Sequence, residues 1–172
     1  MRIILILFIL NILISCGSEK AASGERIIVD VKVERTFDTL VSFGDFESYK
    51  AIDLNLSIIN KTDKAVSLWM MSCSWSDNFL FSNEMLSFSG QICDANYPVI
   101  KKIQPKDSIV FKGTAFKHNS TGFQARDSIR LGFIFIDSMY CKDMDEFLSI
   151  LGDKRKEEKI IWSQPILSNT VK

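Results

Sequence analysis

The sequence predicts an all-β fold, an antiparallel β-sandwich of about seven to nine strands with one short helix near the C-terminus. Three observations carry this prediction. Several segments alternate between apolar and polar residues, as a strand does when one of its faces is buried. Turn-forming residues separate these segments at short intervals. A single segment, near the C-terminus, has the spacing of apolar side chains that is typical of a helix.

Alternation defines the strands in order along the chain. Val29, Val31 and Val33 share one side of the first strand, and charged residues occupy the other. The polar turn at 60–64 joins the clearest hairpin. Residues 129–136 are apolar on both sides, so this strand should be central. The predicted strands are residues 27–34, 52–58, 66–71, 86–88, 99–103, 109–115, 129–136 and 160–162, with a further short segment at 166–167.

One amphipathic helix interrupts the strands. Asp143 followed by Glu146 resembles a capping box, with Asp in place of Ser or Thr. We expect this short helix to lie across an open end of the sheets. Its apolar positions, at i, i+3, i+4 and i+7, are Met144, Phe147, Leu148 and Leu151.

The first fifteen residues form an apolar leader whose only charge is Arg2. A run of twelve residues, all aliphatic or Phe except Asn11, is too short to span a bilayer but suits the apolar region of a secretory signal. The segment ends in Leu-Ile-Ser-Cys, which resembles the lipobox of bacterial lipoproteins. That resemblance implies cleavage before Cys16 and lipidation of its thiol. The chain then divides into a cleaved signal peptide (1–15), a lipidated cysteine with a flexible tether (16–26) and one β-sandwich domain (27–172).

Composition excludes one class of partner. Lys plus Arg and Asp plus Glu each number 21, and loss of the leader removes only Arg2. A basic face of the kind that binds nucleic acid is therefore not expected. The expected partner is the membrane, through the lipid on Cys16, together with an envelope protein or a glycan. The expected location is the bacterial cell envelope, on the periplasmic face or the cell surface of the outer membrane.

Two segments that contain predicted turns show a second resemblance to a known family. "LSIINKTDKAVSL" followed by "IQPKDSIVFKGTAF" is similar to a pattern of bacterial immunoglobulin-like envelope domains, in which these turns lead into strands. The bacterial intracellular proteinase inhibitor family shares this layout. The resemblance implies an immunoglobulin-like sandwich and offers proteinase inhibition as an alternative function. The whole chain resembles lipoproteins of Gram-negative gut and environmental bacteria.

Three cysteines remain after Cys16, and an exported protein meets oxidising conditions that permit a disulfide. Cys73 and Cys93 lie on neighbouring predicted elements, so this pair is favoured over pairings with Cys141. The alternative is that all three are buried as small apolar side chains. Metal binding is not expected, because no CxxC or nearby His accompanies them.

The sequence contains few of the residue patterns that catalytic sites require. His118 is the single histidine, and no nucleophile elbow of the GxSxG type accompanies it. Gly-rich phosphate loops are absent, and the carboxylates at 143–146 are explained by helix capping. We therefore expect a non-catalytic protein without cofactors, which binds a ligand or has a structural role.

Two groups of residues are candidate sites. Trp75 and Phe79 either fill the core or lie on a loop and bind a glycan or a protein edge, since exposed Trp is a common binding anchor. Ser108 and Ser128 each follow Asp and precede Ile, which resembles an O-glycosylation signal of exported bacterial proteins. Turn chemistry explains the same pattern without a glycan.

Overall fold

A computed structural model describes residues 26–39, 49–84, 86–89, 93–117, 129–139, 141–153 and 160–166. Within these ranges it contains nine strands, a 3-10 turn at Trp75–Asn78 and a helix, which confirms the predicted all-β fold with a helix near the C-terminus. The elements are β1 (Ile27–Thr39), β2 (Tyr49–Asn60), β3 (Val66–Met71), β4 (Phe79–Phe81), β5 (Leu86–Phe88), β6 (Pro98–Ile103), β7 (Ser108–Lys117), β8 (Leu131–Ile134), α1 (Met144–Gly152) and β9 (Ile160–Trp162).

The first sheet has the strand order β1-β2-β7-β5, with every neighbouring pair antiparallel. Its central strand β2 alternates as predicted. Leu54, Leu56 and Ile58 are at most 2% exposed, whereas Asn55 and Ser57 between them are half-buried on the outer side. The alternation reflects the pleat, which sends successive side chains to opposite faces.

The second sheet consists of two ladders, one of which continues the other. One ladder pairs β3 with β6, and the other has the order β4-β8-β9. The residues after β8 continue alongside β3, because Leu68 bridges to Asp137 and the Trp69 N–H donates to the Ile136 carbonyl at 2.9 Å. The central position of β8 agrees with the apolar character of both its faces.

The main core lies between the two sheets. Buried side chains from both sheets form a single cluster, which is what makes the pair a sandwich. Each fully buried aliphatic or aromatic side chain stabilises such a core by about 1.5–3 kcal/mol. Members that are at most 2% exposed include Val29, Leu56, Ile58, Leu68, Met70, Ile103, Leu131 and Phe133.

The helix forms a third layer on the outer face of the second sheet. Asp143 caps it, with Oδ1 accepting from the Glu146 N–H at 2.9 Å. Phe147 is fully buried and stacks on Trp69, with ring centroids 5.9 Å apart. The expectation that the helix covers an open end of the sheets is therefore wrong. Because β8 is apolar on its outer face too, α1 covers that face, in a second cluster with Ile134, Ile136, Ile150 and Leu151.

One end of the sandwich is built from two adjacent turns, which we call the Asn60 end: residues 60–64 and 103–107, together with Arg26. Asn60 is fully buried there. Its Nδ2 donates to the carbonyls of Lys64, Ile103 and Gln104 at 2.7, 3.2 and 3.1 Å. Its Oδ1 accepts from the N–H and the hydroxyl of Thr62. One side chain thus satisfies the polar groups of both turns and joins them.

The second turn of the Asn60 end contains a backbone conformation that few residues adopt. Lys106 has φ 60°, directly after Pro105, as a type II turn requires at its third position. Its Nζ donates to the Lys61 carbonyl at 2.7 Å and pairs with Asp63 at 3.0 Å. These contacts with the neighbouring turn offset the backbone strain.

A charged group on the outer face of the first sheet makes stability depend on pH. Thr114 Oγ1 donates to Asp53 Oδ1 at 2.7 Å, and Arg35 Nε donates to Oδ2 at 2.6 Å. The hydrogen bond from Thr114 and then that from Arg35 hold the pKa of Asp53 below its ordinary value of 3.8. This contribution is present above the pKa of the unfolded chain and is lost as the pH falls through the lower pKa of the folded chain.

We therefore expect Asp53→Asn to lose less stability than the wild type when the pH falls from 5 to about 2. Urea unfolding at a series of pH values measures this. Asp30→Asn, which removes an exposed carboxylate from the same strand pair, is the matched control. Parallel pH profiles for the wild type and Asp53→Asn would contradict the assignment.

Candidate binding groove

Residues 72–78 form an excursion from a single strand. β3 and β4 both lie beside the same stretch of chain, since Leu68 pairs with Asp137 and Phe79 pairs with Phe133. Asn78, which is fully buried, fills the gap in the ladder. Its Oδ1 accepts from the Met71 N–H at 3.0 Å, and its Nδ2 lies 3.5 Å from the Trp69 carbonyl. The Asn78 side chain therefore meets two backbone groups of β3 at the point where the strand is interrupted.

Trp75, at the start of the 3-10 turn, points inward and packs against the main core. Its ring stacks on Phe111 with centroids 5.0 Å apart and meets Phe79 and Phe88 edge-on at 5.7 Å. A Cβ placed on Gly113 would lie only 2.7 Å from Trp75 Cη2. The missing side chain at position 113 is thus what gives the indole room between the sheets.

These positions correct one reading of the sequence. The sequence interpretation that places Trp75 and Phe79 together on a loop is not what the structure has, because Phe79 belongs to β4 and is 3% exposed and Trp75 is half-buried. The polar residues that follow Trp75 belong to the 3-10 turn, and Asn78 among them is fully buried. The ring itself turns inward because Gly113 leaves a gap in the core that an indole fills.

A disulfide joins Cys73 in the excursion to Cys93, with Cα atoms 6.1 Å apart. Asn96 adds to this link, because its Oδ1 accepts from the N–H groups of Cys73 and Ser74 at 3.3 and 3.2 Å. Ser72 and Tyr97 exchange two further hydrogen bonds. The excursion and the segment before β6 therefore form one cross-linked unit.

Removal of the disulfide should lower the stability of the domain. We expect Cys73→Ser combined with Cys93→Ser to lower the free energy of unfolding by about 3 kcal/mol, because the loop that the bond closes is no longer constrained in the unfolded chain. Thermal unfolding with and without a reductant measures this. The reductant should lower the melting temperature of the wild type and leave that of the variant unchanged. Free thiols at both positions in the oxidised wild type would contradict the bond.

A groove of about 560 Å³ runs beside the excursion, between β4 and β5. Its floor is apolar and mostly aromatic, and its rim carries hydroxyl, amide and carboxylate groups. This combination suits binding by ring packing with a few directing hydrogen bonds. The floor comprises Phe79, Leu80, Phe81, Leu86, Phe88 and Trp162, and the rim comprises Ser76, Asp77, Ser82, Asn83, Glu84 and Ser87.

Other residues that the sequence singled out have different environments. Cys141 lies outside the Cys73–Cys93 bond; it is 3% exposed, and its Sγ donates to the Asp143 carbonyl. Ser108 is exposed at the start of β7, where its N–H donates to Asp107 Oδ1 at 2.7 Å. This is the turn chemistry that explains an Asp-Ser pair without a glycan. Cys16, His118 and Ser128 lie outside the described residues.

Among the residues that the structure describes, no three or more His, Cys, Asp or Glu side chains are placed to share a metal ion. Within the same ranges, no helix has both the length and the apolar content needed to cross a bilayer.

A scan against protein-family models matches none of them, and a search of curated proteins finds no match.

Three asparagines that organise this part of the chain and the Asn60 end were not predicted. Asn60, Asn78 and Asn96 each bond backbone groups of a segment distant in sequence or of an interrupted strand. For Asn60 the sequence held a signal, since Asn directly after an apolar strand favours a turn. For Asn78 and Asn96 no local pattern identifies the partners.

Proposed function

We propose that the protein is an exported, lipid-anchored protein of the bacterial cell envelope whose β-sandwich is a non-catalytic binding module. The leader that ends at Cys16 carries the proposal. A disulfide within the domain supports it independently, because such bonds persist in compartments outside the reducing cytosol.

Metabolic labelling tests the anchor. Cells that express the chain are grown with a labelled fatty acid, and the purified protein is analysed by intact mass. We expect label on a chain that begins at Cys16, and loss of both label and processing in Cys16→Ser. Inhibition of lipoprotein signal peptidase with globomycin should also block processing. A mature protein that retains residues 1–15 would overturn the anchor.

The groove beside the excursion is the proposed ligand site, and a glycan is the ligand class that its chemistry fits. Apolar faces of sugar rings can pack on the aromatic floor, and sugar hydroxyls can donate to the carboxylates of Asp77 and Glu84. The cross-linked excursion holds one wall of the groove in place, which reduces the cost of ordering on binding.

This site can be tested by measuring how tightly envelope glycans, including peptidoglycan fragments, bind to the purified chain. We expect Phe81→Ala and Glu84→Ala each to weaken binding of a retained glycan about tenfold, as for residues at the centre of an interface. Val110→Ala is the matched control, because Val110 is 56% exposed on the outer face of the first sheet, away from the groove. Equal binding by all three variants would exclude the groove.

The exposed Ser108 and the undescribed Ser128 remain proposed O-glycosylation sites. Intact-mass analysis of protein from the native host tests them. A mass that the polypeptide and the lipid fully explain would remove the proposal.

A further inference from the structure

The Asn60 end carries an excess of positive charge in a chain that is neutral as a whole. Its exposed basic residues are Arg26, Lys61, Lys64 and Lys106, with Lys101 and Lys102 exposed on the adjoining end of β6. Its acidic residues are Asp63 and Asp107. The contact between Lys106 and Asp63 neutralises one charge of each sign, so the surface remains net positive.

This surface is held in place. The Asn60 side chain joins the two turns, the Lys61 N–H donates to the Arg26 carbonyl at 2.9 Å, and the Asn60 N–H donates to the Asp107 carbonyl at 2.9 Å. The backbone that carries the lysines is therefore fixed, while their side chains project into solvent.

The Asn60 end is also where the chain enters the domain. β1 begins at Ile27, next to Arg26, and only ten residues, 17–26, separate it from Cys16. Ten residues span at most about 35 Å when fully extended. A lipid on Cys16 would thus hold this end, more than any other part of the domain, close to the bilayer surface.

An exposed apolar side chain lies towards the same end as these basic residues. Met139 is 81% exposed. The preceding residue, Ser138, donates its N–H to the carbonyl of Ser67, one position from the start of β3, which places this turn towards the Asn60 end. An exposed methionine beside lysines suits the boundary between headgroups and acyl chains.

We propose that the Asn60 end docks onto anionic phospholipid headgroups of the membrane that anchors the chain. This proposal rests on the lipid anchor proposed above. Anionic lipids attract nearby lysines and arginines, each of which raises binding about fivefold within a Debye length of the surface. Docking orients the domain with the Asn60 end towards the bilayer and its opposite end, with residues 82–84 and the groove, away from it.

Amine modification of the acylated full chain in nanodiscs tests the docking. Discs contain either phosphatidylglycerol or only phosphatidylcholine, and mass spectrometry measures the modification rate at each lysine. We expect Lys61 and Lys64 to react at least about fivefold more slowly on the anionic discs, with the difference lost at high salt. Lys50, at the opposite end of β2, and Lys112, in the middle of β7, should react at equal rates on both.

Charge-reversal variants sharpen the test. Lys101→Glu with Lys102→Glu, on an edge strand beside the turns, should remove most of the protection of Lys61 and Lys64. Lys50→Glu with Lys112→Glu should retain it. Unchanged rates for an acylated wild type on the two lipids would overturn the docking and leave the anchor intact. An unacylated Cys16, which the intact mass of the same sample reveals, would overturn the anchor and the docking together.

Discussion

Trp75→Ala is expected to lower the free energy of unfolding by about 3–5 kcal/mol, the range for removing a large aromatic side chain from a core. The indole contacts three phenylalanine rings at centroid distances of 5.0 to 5.7 Å and fills the space above Gly113. The rings around it also contact one another, Phe79 with Phe88 and Phe111 at centroid distances of 6.4 and 5.9 Å, so movement into the cavity would cost those contacts. Urea unfolding measures the loss, and Ile100→Ala, which truncates a side chain that is 53% exposed, should change stability by less than about 0.5 kcal/mol.

The pairing of Trp75 with Gly113 gives this prediction a second measurement. Gly113→Val alone should also destabilise the domain, since even its Cβ would lie 2.7 Å from the indole. Combined with Trp75→Ala, the valine enters the vacated space. The double variant should therefore be more stable than the sum of the two single losses by at least about 1 kcal/mol. Strict additivity would show that the indole does not occupy the space above Gly113.

Asn60→Asp is expected to be about as destabilising, at about 3–5 kcal/mol near pH 7. The substitution removes a donor to three carbonyl groups and places a carboxylate against them at a position that is fully buried. Buried groups that lose their partner cost about 1–3 kcal/mol each, and an unpaired buried charge costs more. The loss should shrink at acid pH, where the new carboxyl group is protonated and can donate one hydrogen bond.

Asn96→Asp is the matched control for this change. Asn96 is exposed, and its Oδ1 accepts from two N–H groups that a carboxylate also accepts from, so the substitution removes only the exposed hydrogen bond from its Nδ2 to Ser74 Oγ. We expect the free energy of unfolding to change by less than about 1 kcal/mol, as measured by urea unfolding. If Asn60→Asp were no more costly than Asn96→Asp, the Asn60 side chain would not be what joins the two turns.

Much of the sandwich could be predicted because alternation reports directly which side of a strand is buried. The strands at 66–71, 86–88 and 160–162 have the predicted limits, and the two apolar faces of β8 identified a central strand. The strand β4 was missed. It is three residues long, and it is a strand only because β8, some fifty residues later, pairs with it. Pairing over that distance leaves no local pattern.

The helix and the groove show the same limit to what a local sequence pattern can predict. The amphipathic spacing identified α1, but it does not say which apolar surface the helix covers, and the outer face of β8 was read only as evidence for a central strand. The groove arises where the edges of β4 and β5 approach each other, so it depends on the sheet order. Trp75 has the residue type of a binding anchor. Its inward direction depends on Gly113, a glycine in another strand that local sequence does not connect to it.

The excursion at residues 72–78 has a consequence for how this domain can diversify. Counting along the antiparallel ladder from the pair Leu68–Asp137, Met71 stands opposite Ile134, and Phe79 stands opposite the next residue, Phe133. The seven intervening residues add nothing to the register of the strand. Insertions and deletions there would alter the wall of the groove while every other pairing stays in place. Length differences between homologues should collect at this point, and it is a natural place to graft a foreign recognition loop, provided that the graft keeps Cys73 and Asn78 and still supplies an aromatic ring above Gly113.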